Sequence, residues 1–306
     1  MPDGISANLL TPLTSSGDID EPTLRRFVDF HLGIDSVTSL AINVNLSESH
    51  NMSLEERERI AEIIVDQAAG RVGTIVTVSA ATMADALRLS RHAHDIGADA
   101  IMSVPPYDAG LDNLTLLKYY TMLAEATPLA LIGYHLPSWQ SGVGLEPDLV
   151  VALVRAAPNF VGVKDASFAV KYQCDVTAEV AAIRPDFSVT SSLEWLVATM
   201  PLGTTAANSA VVSLAPNLTS GILEAAVNRD WERARSRTTE FVRLWSAIYP
   251  HFPASLKVVS EEMGRPLGPM RAPFQPVPAS VRAQIVAVID MLGLRNSEPV
   301  GWGDAA

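Results

Sequence analysis

Cysteine and lysine are the scarce residues of this 306-residue chain. A single cysteine, Cys174, excludes an internal disulfide and a cysteine-based zinc site. Lysine occurs four times, at 118, 164, 171 and 257. Lys and Arg together number 22 against 34 acids, a net charge of -12. That balance, with no basic cluster, excludes a surface built for a nucleic-acid backbone. No apolar run approaches the roughly 18 residues that a membrane span needs. The first residues lack the basic and apolar regions of a secretory signal, so a cytoplasmic protein is expected. No G-x-G-x-x-G follows the first strand, and Walker and H-E-x-x-H motifs are missing too. His92 and His94 stand two apart on one helix and share no face. Neither a nucleotide cofactor nor a metal is expected.

What the chain does contain is alternation. Short apolar runs at 5–10, 39–42, 72–78, 100–104, 129–134, 160–164, 187–190 and 205–207 each precede a helical stretch. Ser53 and Glu56 spell a capping box that opens one of those helices. Strands apolar on both faces and separated by helices indicate a parallel sheet covered on both sides. Eight such units predict an α/β fold, a (β/α)8 TIM barrel with additional C-terminal helices; a doubly wound open sheet is the competitor. The expected layout is a barrel core over 1–214, a C-terminal helical region over 215–295, and a frayed tail over 296–306.

Lys164 ends the run Phe160-Val161-Gly162-Val163-Lys164, whereas Lys118, Lys171 and Lys257 read as surface residues. The C-terminal end of a barrel strand faces the active site. An amine placed there among apolar neighbours has a lowered pKa and becomes a nucleophile towards a ketone. The structural alternative is a rim lysine that snorkels outward or pairs with Asp165. Tyr134 ends the preceding strand, so the two side chains are expected at one mouth. A tyrosine beside such an amine can move protons while a carbinolamine forms and breaks; a rim aromatic is its structural alternative.

Tyr134-x-x-Pro137 followed by Gly162-Val163-Lys164-Asp165-Ala166-Ser167 resembles the dihydrodipicolinate synthase / N-acetylneuraminate lyase family of class I aldolases. Thr11-Pro12, Gly17 to Asp20, Glu48 with Met52 to Arg57, and Val104 to Tyr107 extend the resemblance over nearly the whole chain. It implies a lyase in which Lys164 forms an imine with pyruvate or another 2-oxo acid, and Tyr134 relays protons. It also implies a homodimer or homotetramer. Where the family reads Gly-Thr-Thr-Gly-Glu and holds the pyruvyl carboxylate, this chain reads Val44-Asn45-Leu46-Ser47-Glu48. Asn45, Leu46, Ser47 and the strand-end Asn43 are therefore candidate binding residues. Asn208, ending the eighth strand, falls where the family brings a carbonyl near the lysine; Glu194, Ser191 and Ser192 are weaker candidates. His135 is a candidate donor that strand alternation directs away from Tyr134.

Two departures bear on the substrate. Asp108 stands where dihydrodipicolinate synthases carry a relay tyrosine. Trp139 stands where they carry the arginine that grips a second carboxylate, and an indole cannot replace a guanidinium. Trp139 offers instead a flat apolar wall. The expected reaction is cleavage or formation of a C–C bond between a 2-oxo acid and an aldehyde, with an apolar or aromatic aldehyde favoured over lysine biosynthesis. The alternatives are a 2-oxo-3-deoxy sugar acid dehydratase and a non-catalytic barrel that binds 2-oxo acids.

Overall fold

Eight short strands follow one another around a closed barrel in the order in which they occur in the chain. They are β1 (Gly4–Asn8), β2 (Val37–Ile42), β3 (Gly73–Thr77), β4 (Ala100–Ser103), β5 (Ala130–His135), β6 (Phe160–Asp165), β7 (Ser188–Ser192) and β8 (Ala206–Ser209). A helix follows each: α1 (Glu21–Leu32), α2 (Leu54–Ala68), α3 (Met83–Asp95), α4 (Asn113–Ala126), α5 (Pro147–Ala156), α6 (Val170–Ala181), α7 (Leu196–Thr199) and α8 (Pro216–Val227). The C-terminal helices are α9 (Trp231–Ile248), α10 (Ala254–Glu262), α11 (Ala279–Met291) and α12 (Leu294–Ser297). This computed structural model describes residues 4–106, 111–139, 142–204 and 206–302. The expected (β/α)8 barrel with added C-terminal helices is the observed fold, and the open sheet is excluded.

Local sequence explains where the helices begin. Ser53 accepts from the Glu56 amide while the Glu56 carboxylate accepts from the Ser53 amide, the capping box read from the sequence. Asp20, Thr82 and Asp112 cap α1, α3 and α4 with their side-chain oxygens. Leu40, Ile42, Val76, Ile101, Leu131, Ile132 and Val163 are all buried, as strands covered on both faces require. Among the described residues no helix is long and apolar enough to cross a membrane.

The chain divides into two compact units, Gly73–Asn208 and Gly4–Val72 with the chain from Ser209 onward. In the first, the Asn159 amide donates to the carbonyls of Ala124 and Leu129 at 3.0 Å each, pinning the end of α4 and the approach to β5. In the second, buried His31 lies 2.6 Å from the Phe27 carbonyl through Nδ1 and 2.8 Å from the Ser213 hydroxyl through Nε2. Its pKa is pushed down to about 4 by burial, so the neutral ring donates to the carbonyl and accepts from the hydroxyl.

The tail expected to fray is packed as far as Trp302. Glu298 accepts from the amides of Asn217 and Leu218 at 2.7 and 2.8 Å, capping α8. Arg265, fully buried, donates to the carbonyls of Pro299 and Gly301 at 2.7 and 2.9 Å. These partners lie some 35 to 80 residues away in the chain, beyond what local pattern reveals.

Gly162 has no room for a side chain. A Cβ there would lie 2.8 Å from the Ser188 carbonyl oxygen on the neighbouring strand β7. Gly162→Ala is expected to destabilise the fold by about 1–3 kcal/mol through forced strand separation. Thermal unfolding measures this, and an unchanged midpoint would show that β6 and β7 yield freely.

Candidate active site

β5, β6 and β7 run parallel and in register, which sets three side chains in one row. Tyr134 on β5 pairs with Lys164 on β6, and Lys164 pairs with Thr190 on β7. Register partners on neighbouring strands share a face of the sheet. The Lys164 Nζ accordingly lies 4.2 Å from the centroid of the Tyr134 ring. Both residues are buried, Lys164 at 4% exposure.

Burial pushes the Lys164 pKa down to about 7. The ring face of Tyr134 attracts a cation only weakly compared with water, so desolvation dominates. At pH 7 about half the amines are then neutral, against about one in 3,000 at the ordinary lysine value. Asp165, the partner offered by the alternative reading, faces the helices instead. Its carboxylate accepts from the Ser167 amide and the Gln173 side chain, both at 2.9 Å.

The next residue along β5 confirms the alternation. His135 stacks on Tyr172 of α6, with ring centroids 3.7 Å apart and planes within 4°. Its Nδ1 accepts from the Leu145 amide at 2.9 Å, and burial pushes its pKa down to about 4. His135 is thus neutral and anchors the segment after β5 from the helix side, away from the face that carries Lys164. Gly144 makes this approach possible, since a Cβ there would lie 2.6 Å from the His135 ring.

At the end of β7, Ser191 donates to the Ser192 carbonyl at 3.0 Å, and Asn208 of β8 donates to the Ser191 carbonyl at 2.9 Å. Asn208 therefore staples β8 to β7. Half-buried Glu194 follows, its carboxyl pushed up to about 7 by burial. Thr190 was not singled out by the sequence, because an isolated threonine in a strand carries no signal of its own; the register reveals it. Its hydroxyl is buried and has no hydrogen-bond partner, a state that costs about 1–3 kcal/mol.

The segment after β2 belongs to the other unit. Asn45, Leu46 and Ser47 form a single helical turn, with Asn45 half-buried and Leu46 buried. The Ser47 hydroxyl donates to the Leu9 carbonyl at 2.6 Å, and the Asn43 amide donates to the Arg57 carbonyl at 2.8 Å. Left-handed backbone occurs at Asn43 (φ 55°) and Glu48 (φ 63°). Val44, where the family has its first glycine, is extended. The loss of glycine there therefore carries no backbone strain.

Lys257 is not a surface residue. It is 5% exposed and donates to Glu48 at 3.1 Å and to the Pro269 carbonyl at 2.8 Å. Glu48 also accepts from the Arg271 amide at 2.8 Å. Lys257 is buried because a carboxylate 209 positions away receives its charge, an association no sequence window spans. Trp139 closes the single turn Pro137–Trp139. Its side chain, Gln140, Tyr107 and Asp108 lie outside the described residues. No group of three or more His, Cys, Asp or Glu able to hold a metal occurs among the described residues.

A buried amine at the C-terminal end of a barrel strand, held against a tyrosine, is the arrangement that imine chemistry needs. The model of the dihydrodipicolinate synthetase family matches residues 1–292. The chain belongs to that family. Its members are class I Schiff-base aldolases and lyases, and the chain is an enzyme of this kind. The 4-hydroxy-tetrahydrodipicolinate synthase of Syntrophus aciditrophicus is 30% identical, over 95% of this chain and 98% of that one. A solved E. coli K12 prophage protein of the dihydrodipicolinic acid synthase family, in complex with pyruvate, is 25% identical with a TM-score of 0.89, covering 95% of this chain and 99% of that one. A dihydrodipicolinate synthase variant described as monomeric shares the fold at a TM-score of 0.90 and 22% identity, covering 96% and 97% of the two chains.

The lowered pKa of Lys164 has a stability consequence. Between about pH 7 in the folded chain and about 10.5 in the unfolded chain, unfolding takes up a proton, so stability rises with pH over that window. Below about 7 the penalty is fully present. Lys164→Met is therefore expected to stabilise the protein by a few kcal/mol near pH 6, with the gain shrinking towards pH 10. Denaturant melts at several pH values test this, and a gain that does not vary with pH would refute the depressed pKa.

Proposed function

We propose that this protein cleaves or forms a C–C bond between a 2-oxo acid, pyruvate in the simplest case, and an aldehyde, through an imine on Lys164. The observation that carries the reading is the buried Lys164 amine 4.2 Å from the Tyr134 ring. The neutral amine adds to the keto carbon, and the keto oxygen, protonated through Tyr134, leaves as water. The resulting iminium withdraws electrons from the neighbouring bond. Breaking that bond releases the aldehyde and leaves an enamine, which takes up a proton to become the imine of pyruvate. Water then frees the product and restores the amine. Condensation is the same sequence in reverse.

The resemblance assigns the substrate carboxylate to the turn after β2. Asn45 is the side chain we assign to that carboxylate, because the Ser47 hydroxyl already donates to the Leu9 carbonyl and the Asn43 amide to the Arg57 carbonyl. Trp139 in place of the family's arginine favours an apolar or aromatic aldehyde, and the raised pKa of Glu194 keeps much of that carboxyl uncharged at neutral pH. The family resemblance also underlies the proposal of a cytoplasmic homodimer or homotetramer.

Borohydride added to enzyme and pyruvate is expected to give a stable adduct, seen by intact mass, that Lys164→Ala does not form. A folded wild type without any 2-oxo acid adduct would overturn the imine. Release of pyruvate from a benzylidenepyruvate marks an aldolase, whereas a dehydratase retains the carbon chain; faster cleavage of sugar-derived 2-oxo acids would overturn the aromatic preference.

Tyr134→Phe keeps the ring against Lys164 and removes only the hydroxyl. It is expected to form the adduct more slowly but still on Lys164, and to lower kcat about 10²–10⁴-fold. Turnover equal to wild type would remove Tyr134 from the proton path.

A further inference from the structure

β6 lies between β5 and β7, so Lys164 has Tyr134 on one flank and Thr190 on the other. The Tyr134 ring already occupies the first flank with its face towards the amine. On the second, Thr190 is 1% exposed and its buried hydroxyl has no hydrogen-bond partner. Valine has the same shape without the hydroxyl and would fill this position with no unpaired group, so the hydroxyl is a burden on the free enzyme. A buried polar group in that state points to a partner that arrives with the ligand.

The imine supplies one. The amine of Lys164 begins with two hydrogens. When the carbinolamine loses water, one of them departs with the keto oxygen, together with the proton delivered through Tyr134. The nitrogen keeps a single N–H, fixed in the plane of the new C=N bond and positively charged. A ring face does not accept an in-plane N–H well, whereas a hydroxyl oxygen does. We infer that the Thr190 hydroxyl is the acceptor for the N–H of the iminium formed on Lys164, a contact made only after the 2-oxo acid has reacted. This rests on the imine reading above and adds a residue to it. By holding the iminium protonated, Thr190 keeps it electron-withdrawing while the neighbouring bond breaks.

Thr190→Val and Thr190→Ser separate the hydroxyl from the shape. The readout is the fraction of chains trapped by borohydride as a function of pyruvate concentration and of pH, with the melting temperature measured alongside. T190V is expected to melt no lower than wild type. Its half-saturating pyruvate should rise about ten- to a hundredfold, in line with loss of one charge-assisted hydrogen bond. The alkaline limb of its trapping profile should also move to lower pH, because the iminium loses its proton more readily. T190S should stay within about twofold of wild type on both measures. Should T190V fail to fold, Thr190→Ala carries the same expectations. Trapping by T190V that matches wild type in concentration and pH, or an equal loss in T190V and T190S, overturns the contact while leaving the imine intact. A wild type that forms no adduct overturns both.

Discussion

Removing one ammonium from water is the constraint around which the Gly73–Asn208 unit is arranged. Lys164 keeps its place because its strand holds it there: Gly162 lets β7 come close enough for the register to hold, and Asn159 pins the approach to β5. What the barrel gains is an amine that is neutral half the time at pH 7, on a rigid strand end rather than a loop. The cost of desolvating the ammonium and the availability of the free base are one property seen from two sides.

The second buried lysine shows what compensation does. Lys257 meets the Glu48 carboxylate and the Pro269 carbonyl, and Glu48 is bonded in turn to the Arg271 backbone. Desolvation lowers the pKa of Lys257 while Glu48 raises it. That residue is a tie between the segment after β2 and the C-terminal helices, in a unit where Arg265 and Glu298 make similar long-range ties. Breaking such a pair strands a buried charge. Two lysines of similar burial thus have different neighbours: the Glu48 carboxylate for Lys257, the face of the Tyr134 ring for Lys164.

The barrel was legible because its signals are local and repeated: apolar runs, capping residues and regular spacing fall within about 30 residues of one another. Lys164 and Tyr134 were legible for the same reason, each at the end of an apolar run. Lys257 was misread because its partner lies 209 residues away. Thr190 was invisible because only the pairing of β6 with β7 puts it beside Lys164. The Ser47 and Asn43 side chains looked available to a ligand, since nothing in their neighbourhood announces that Leu9 and Arg57 carbonyls will receive them. Periodicity reports which face a residue occupies, and it is silent on what meets that face.

His31 and His135, one in each unit, are both held neutral with pKa values near 4. Each loses stabilising value as pH falls from the ordinary histidine range through about 4, because the unfolded chain gains the proton first. Lys164 takes up its proton around pH 7, earlier in the same descent. Acidification therefore acts in two stages. The amine is silenced first, while both imidazoles still hold their neighbours. The imidazoles that anchor α1 and the segment after β5 become charged in the folded chain only near pH 4. Between about pH 7 and 4 the folded chain therefore carries a charged Lys164 beside two neutral imidazoles, and raising the pH removes that charge again.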